Sequence, residues 1–360
     1  MNGQVHELLV RLSREHTLRL EEYQALIDGF SPETAAMAQQ AAIQLRKQIY
    51  GEDIFIRGLI EISNICRNDC LYCGIRRSNA HCSRYRLLPE EILACTDEGY
   101  RLGFRTFVLQ GGEDPFYTDE ILTNLIKKIR QRHPDCAITL SLGERGMSSF
   151  RRLREAGANR YLLRHETADP EHYHLLHPRE CSFEHRMQCL SDLKEIGYQV
   201  GCGFMTGSPY QTSANLARDL KFIEAFHPDM CGIGPFIPHH DTPFAAFPAG
   251  SVPLTCYLLS LVRLIVPTVL LPATTALGTL APNGQELGIL SGANVVMPNL
   301  SPVSVRNKYM LYDNKRSTGV DSAEHLEMLR ERMRAIGYRI VTDRGDVRSV
   351  PDSLAPGFDN

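Results

Sequence analysis

The chain has 360 residues, 43% of them apolar and 22% charged, which is enough apolar material for a sizeable core and argues against wholesale disorder. Its 39 Lys and Arg against 42 Asp and Glu leave a net charge of −3 with no long basic run, so nothing in it attracts nucleic acid or an anionic membrane surface. Eleven cysteines, an odd number behind a polar, helical N-terminus with no apolar leader, point to thiols in a reducing cytoplasm that serve a metal or catalysis before disulfides.

Residues 1–50 predict three helices. Leu8, Leu9 and Leu12 share one face of the first; Leu18, Leu20, Tyr23, Leu26 and Ile27 pattern the second. Ser31 as N-cap, with Pro32 at the first helical position, opens a third through Gln48. From there, short apolar runs at 55–62, 106–110, 137–142, 160–164, 199–205, 230–236, 269–272 and 294–297 read as strands. Amphipathic segments separate most of them, most clearly at 89–102, 118–132, 183–196, 213–226 and 253–266. The most apolar stretch, 252–272, is barely of spanning length and is interrupted by Arg263 and Pro267, so it reads as a buried helix and strand. A last helix is expected over 321–336.

Alternating strand and helix implies a parallel sheet, and eight such units close a barrel. The fold class is therefore α/β: a TIM-type (β/α)8 barrel over 51–312, between an N-terminal helical extension at 1–50 and a C-terminal helical tail at 313–360. An open parallel sheet with fewer strands is the alternative, because 269–272 is short. In such barrels chemistry sits where strands end, and polar clusters fall there, at 64–77, 110–114, 142–145 and 164–167, then at 207–211, 238–242, 274–275 and 298–301.

The first of these clusters holds Cys66-Arg-Asn-Asp-Cys70-Leu-Tyr-Cys73. Three soft thiolates within eight residues suit one face of an iron–sulfur cube and leave one of four irons open. A zinc-stabilised scaffold is the competing reading; it wants four ligands, and Cys82 or His81 could supply the fourth.

This CxxxCxxC spacing, with Tyr72 before the third cysteine, resembles the signature of the radical S-adenosylmethionine (SAM) superfamily, which places the loop after the first barrel strand. The resemblance implies that Cys66, Cys70 and Cys73 bind a 4Fe-4S cluster whose open iron holds the amino and carboxylate groups of SAM. An electron from that cluster would cleave SAM to a 5′-deoxyadenosyl radical. Gly111-Gly112-Glu113 after the second strand matches the superfamily's glycine-rich segment at the methionyl amine. Glycines allow close backbone approach, and Glu113 can accept from an ammonium group.

The strings LQGGEDP, TLSLGE, RYLLRHETA, GIGPFIPH, LPATTALGT and GANVVMPN, across 54–312, resemble the HydE family of FeFe-hydrogenase maturases, relatives of biotin synthase and methylornithine synthase. That likeness implies Gln110, Gly112 and Glu113 by the methionyl part of SAM, Arg164, Glu166 and Arg186 at its polar groups, and Tyr72 near the adenine. It further implies a substrate cavity lined by Arg57, Arg160, Thr274, Thr275, Met297 and Tyr309. Arginine suits a carboxylate, and threonine hydroxyls can complete an anion site. Ordinary barrel filling is the plain alternative for the threonines, and a structural partner such as Glu61 for Arg57.

The implied substrate is a small iron complex carrying cysteine, carbon monoxide and cyanide, delivered by a sister maturase. The implied outcome is a step toward the two-iron subcluster of hydrogenase, with a low-potential electron donor as a further partner. Amino-acid chemistry of the methylornithine synthase kind is the second reading. Some family members carry a second cysteine motif near the C-terminus; the last cysteine here is Cys256, so no role tied to that motif applies. His239 and His240 read as a solvated loop, and His165 as pointing away from the cavity.

Overall fold

The structure, a computed structural model, describes residues 2–316 and 322–350. Its strands are β1 (Asp53–Ile56), β2 (Gly58–Ser63), β3 (Thr106–Gly111), β4 (Ala137–Ser141), β5 (Arg160–Leu162), β6 (Gln199–Cys202), β7 (Met205–Thr206), β8 (Met230–Cys231), β9 (Gly234–Pro235), β10 (Val295–Val296) and β11 (Arg339–Val341). One sheet runs β2-β3-β4-β5-β6-β8, a second β10-β1-β11, and β7 pairs with β9. Every ladder is parallel. The central strands β2, β3 and β4 are buried almost throughout, which is why their sequences are near-continuous apolar runs instead of alternating ones.

The two larger sheets are joined by single parallel bridges: Met230 to Leu270, Pro272 to Val295 and Leu59 to Asn299. The architecture is a TIM-type barrel whose seventh run, expected as a strand at 269–272, contributes bridges and no ladder. The expected strand at 55–62 is interrupted at Arg57, with β1 paired to β10 and β11 and β2 to β3. The runs at 199–205 and 230–236 each split in two, at Gly203 (φ 150°) and at Gly232. A Cβ on Gly203 would collide with the Gly232 carbonyl, so adjacent strands approach there closer than any other residue allows.

The N-terminal helices are Asn2–Glu15, Leu20–Asp28 and Pro32–Tyr50. Ser31 caps the third as expected, its Oγ accepting from the Thr34 N–H at 3.2 Å. The second packs onto barrel helices through polar pins: Tyr23 Oη donates to Glu224 at 2.6 Å, and Tyr257 Oη donates to the Leu26 carbonyl at 3.1 Å. The apolar segment forms the helix Val252–Ile265, buried on nearly every side. Its Arg263 is fully buried and satisfied by the carbonyls of Gly292 and Pro267. Among the described residues, no helix is long and apolar enough to cross a membrane.

The tail departs from expectation. Its helix is Leu326–Ala335, preceded by a 3-10 turn at Ala323–His325; residues 317–321 and 351–360 of the expected tail lie outside the described residues. After Gly337 (φ 85°) the chain becomes β11, pairing Arg339, Ile340 and Val341 with Asp53, Ile54 and Phe55. A helical reading missed this strand because only three residues carry it, and their partners lie far away in sequence.

Candidate active site

The cysteine loop follows β2, and partly buried polar contacts around Arg84 and Asp69 shape it. Arg84 donates from Nη1 to the carbonyls of Asn64 (2.6 Å) and Ile75 (2.8 Å), and from Nη2 to those of Arg76 and Asn79. Asp69 accepts both arms of Arg76 at 2.8 Å and the Ser78 hydroxyl at 2.8 Å. The loop lies against the end of β3 because residue 112 is glycine: a Cβ there would collide with the Ile65 carbonyl and stand 2.8 Å from Cys66 Cβ. The Gly112 N–H donates to the Ser63 carbonyl at 3.0 Å, tying the two strand ends together.

A cavity of about 360 Å³ opens beside this loop. Cys66, Cys70, Tyr72 and Cys73 form one wall, and Gln110, Gly112 and Glu113 a second. Arg164, Glu166 and Arg186 form a third wall; Thr274, Thr275, Met297 and Tyr309 line the deeper part. These fourteen residues, expected from seven separate stretches of chain, are brought together in one space.

The charged wall holds groups without full partners. Arg164 Nη2 stands 3.1 Å from Glu166 Oε2, yet those two atoms and Arg164 Nε are buried with no hydrogen bond. Glu166 has φ 66°, a left-handed conformation that costs a non-glycine residue about 1–3 kcal/mol and marks functional sites. Arg186 pairs with Glu144 and donates to the Arg164 carbonyl at 2.7 Å. Burial disfavours its charge, but Tyr173, Glu144 and Tyr72 outweigh that and hold the guanidinium protonated. Glu113 accepts from Arg67 Nε at 2.8 Å and from the Glu144 N–H at 3.0 Å. Tyr72 is partly buried, with its hydroxyl 3.2 Å from His177 Nε2.

Two expected cavity residues lie elsewhere. Arg57 and Arg160 line a separate pocket of about 10 Å³, room for about one water, divided from the main cavity by Met230 and Leu162. The reason is strand polarity. Arg57 precedes β2 and Arg160 begins β5, so both sit at the end of the barrel opposite the loops. Arg160 is occupied by Asp346, Gln199 and the carbonyls of Arg344 and Gly345. Arg57 lies against Met230 Sδ, with Nε and Nη2 buried and unpartnered, and burial followed by Arg160 lowers its pKa well below the usual value. Glu61 is no partner for it: four residues on, it is about 13 Å further along the strand.

Glu61 pairs instead with Lys315, at 2.7 Å, and accepts from Asn299 Nδ2 at 2.9 Å; Glu61 and Lys315 both line the main cavity. Sequence reasoning missed Lys315, which pairs with Glu61, and Glu144, which pairs with Arg186. Glu144 closes the string TLSLGE without its partner being evident there, and for Lys315 the one signal was an unexplained acid at an apolar strand position, Glu61. His165 is fully buried against Phe222 and Asp219, off the cavity, and burial lowers its pKa to about 3. His239 and His240 sit at the rim by Asp313, and His239 is buried instead of solvated.

The donors fit an iron–sulfur cube better than zinc. Among the described residues, only His239, His240 and Asp313 form a trio of metal-capable side chains within 4.8 Å of one another. The three loop thiols are spread more widely, whereas a tetrahedral zinc with sulfur ligands at about 2.3 Å draws them to about 3.8 Å apart. Without metal the thiols are protonated. The Cys181 contact and then burial push Cys70 well up, and burial raises Cys66 and takes Cys73 to about 12. Loading the site therefore releases protons. Across the cavity, the Arg164 and Glu166 atoms that make no hydrogen bond suit the carboxylate and ammonium of an amino-acid ligand.

Comparison with known proteins agrees. The sequence profile of the Radical SAM superfamily matches residues 60–223. The chain is 44% identical over 312 residues to the FeFe-hydrogenase maturase subunit HydE of Thermotoga maritima, covering 86% of this chain and 88% of that protein. It is 29% identical to the 3-methylornithine synthase of Methanosarcina acetivorans over 77% of this chain and 78% of that one. Among solved structures, methylornithine synthase superposes with a TM-score of 0.77 at 25% identity, over 93% of this chain and 97% of the other. The hydrogenase maturase HydG shares the fold, with a TM-score of 0.80 at 20% identity over 95% and 77%. The chain belongs to the radical SAM superfamily and, within it, to the HydE family. Enzymes of this superfamily use a 4Fe-4S cluster and SAM.

Proposed function

We propose that this enzyme reductively cleaves SAM and turns the product on a small cysteine-bound iron carbonyl cyanide complex, a step in assembling the two-iron subcluster of FeFe-hydrogenase. The observation that supports this most is the single cavity joining the thiol wall to the Arg164–Glu166 pair, whose facing atoms make no hydrogen bond, and running on to Thr274 and Thr275. When bound, the cluster and SAM supply a low-potential electron and a 5′-deoxyadenosyl radical. The chain's own residues do the rest. Cys66, Cys70 and Cys73 would hold the cluster. Glu113 and Glu166 would accept from the methionyl ammonium, and Arg164 would donate to its carboxylate. Tyr72 would close the adenine side and keep out water. Thr274 Oγ1, buried without a partner, would donate to an anionic group of the substrate, with Thr275, Met297 and Tyr309 around it.

In this reading 51–312 is the catalytic unit, with 1–50 and 313–360 as extension and tail, working in a reducing cytoplasm. A sister maturase would supply the substrate, and a low-potential donor the electron. A second reading, amino-acid rearrangement, draws support from the likeness to the 3-methylornithine synthases.

Anaerobic reconstitution followed by electron paramagnetic resonance of the reduced protein tests the first step. A 4Fe-4S signal that changes on adding SAM, and is lost in Cys70→Ala, is expected. A colourless protein holding zinc would refute it. Incubating the loaded enzyme with the iron complex or with free amino acids then separates the two readings: turnover of an amino acid alone would defeat the maturase assignment.

A further inference from the structure

We propose that Lys315 is a specificity-determining residue of the main cavity, its ammonium donating to the carboxylate of an amino-acid group on the substrate. The inference rests on the proposed function, in which the substrate carries cysteine. Arg57 and Arg160, the arginines suited to such a carboxylate, lie at the opposite end of the barrel. Among the described residues, the cations that line the cavity are Arg164, Arg186 and Lys315. Arg164 stands with Glu166 in the wall assigned to SAM, and Arg186 is taken up by Glu144 and the Arg164 carbonyl. Lys315 is the cation left for the substrate.

Its position is the substrate end of the cavity. Lys315 Nζ lies 5.4 Å from the ring centroid of Tyr309, within reach of cation–π attraction, and Tyr309 lines the deeper part with Thr274 and Thr275. Next in the chain, the Arg316 N–H meets Thr279 Oγ1 at 3.5 Å, in the helix Thr275–Leu280. The segment that carries Lys315 is fastened at successive points. The Lys308 carbonyl accepts from Asn64 Nδ2 at 2.6 Å, and the Leu311 carbonyl from the Gly74 N–H at 2.8 Å. The Asp313 N–H donates to the Pro238 carbonyl at 3.1 Å. An ammonium on a segment held in this way is in place before substrate arrives, so little ordering remains to oppose binding.

Glu61 anchors the ammonium without exhausting it. Its Oε1 accepts from Nζ at 2.7 Å, while Oε2 accepts from Asn299 Nδ2 at 2.9 Å. A lysine ammonium has three N–H donors and no acceptor. Among the described residues Nζ donates to Glu61 alone, which leaves two N–H groups for a ligand. The Glu61 side chain is fully buried, whereas that of Lys315 keeps 6% of its exposure, so an entering anion meets the cation and not the carboxylate behind it. Apolar residues of similar volume would serve stability as well as a buried ion pair does or better. On the wall of a cavity the pair instead presents a fixed positive charge in a medium of low dielectric, where attraction to a carboxylate is strong.

The test is an anaerobic titration of the full-length enzyme, loaded with cluster and SAM, with two forms of the iron complex. One carries cysteine; the other carries cysteamine, which lacks the carboxylate. The wild type should bind the cysteine form about tenfold or more tightly, the worth of one hydrogen bond between charged groups. The double variant Glu61→Gln, Lys315→Met, which leaves no uncompensated charge, should bind the two forms alike, through weaker binding of the cysteine form alone. Lys315→Arg, which keeps the cation, should keep the preference. A wild-type preference retained in the double variant would overturn the proposal, as would equal binding of the two forms by the wild type. A crystal structure of the wild-type complex checks the contact without any substitution. The carboxylate should lie within hydrogen-bond distance of Lys315 Nζ, and a carboxylate held elsewhere would also overturn the proposal. Binding of neither form by the wild type would instead defeat the proposed function, and is visible before any variant is made.

Discussion

Arg160 Nη2 donates to the carboxylate of Asp346 at 2.6 Å, across 186 residues of sequence. The contact plugs the barrel end opposite the cavity with the C-terminal strand segment. Gly345 packs onto Phe55, and Thr106 donates to the Arg344 carbonyl at 2.7 Å in the same place. Arg160 is buried, whereas Asp346 is partly exposed. Asp346→Ala should therefore destabilise the protein by about 1–3 kcal/mol, less than the loss of a fully buried pair. Urea unfolding measures this, and hydrogen exchange should show faster opening of residues 339–348.

The same pair makes a pH prediction. Burial works to raise the Asp346 pKa, but Arg344 and Arg160 outweigh it and hold the carboxyl at about 2. An unfolded aspartate titrates at about 3.9. A lowered folded pKa contributes stability that is complete above about pH 4 and disappears as pH falls toward 2. Stability curves of wild type and Asp346→Asn should converge over that interval. Parallel curves would show that the pair contributes nothing through linkage.

Gly112→Ala should push the cysteine loop off β3, since the added methyl meets the Ile65 carbonyl and Cys66 Cβ. Overpacking of this kind costs about 1–3 kcal/mol. The expected result is a folded protein with lowered iron content after reconstitution. Full iron loading would mean that the loop gives way without losing its ligand geometry.

Lys315→Met should leave Glu61 charged and buried, at a cost of about 3–5 kcal/mol. Adding Glu61→Gln should recover most of the loss, because no uncompensated charge then remains. Additive losses in the double variant would show that the two residues do not act as a pair.

Replacing Thr274 and Thr275 together by Val keeps their volume and removes two hydroxyls deep in the cavity. SAM binding and cleavage should survive, while conversion of the iron complex falls by about tenfold or more, the worth of one to two hydrogen bonds to a charged group. Loss of SAM binding in this variant would contradict placing these residues with substrate.

The cysteine loop and the Gly111-Gly112-Glu113 turn were legible in the sequence because each is a local string directly after an apolar strand. A few residues of backbone connect their ligating atoms, so spacing alone constrains geometry. The same holds for the Ser31 cap and for most helices, whose signals lie within one turn. Arg57 and Arg160 were misplaced although their strands were found. A residue type says that a charge needs a partner, but which end of the barrel it occupies follows from strand polarity, and its partner, Asp346, from a tail strand too short to announce itself. Glu144 meets Arg186, and Lys315 meets Glu61, only because distant segments fold together. The sequence by itself therefore determined the chemistry class and the ligand loop, through short-range spacing. The tertiary structure alone decided which charges face the cavity and which seal the barrel floor, because long-range packing sets where each strand end and each partner lies.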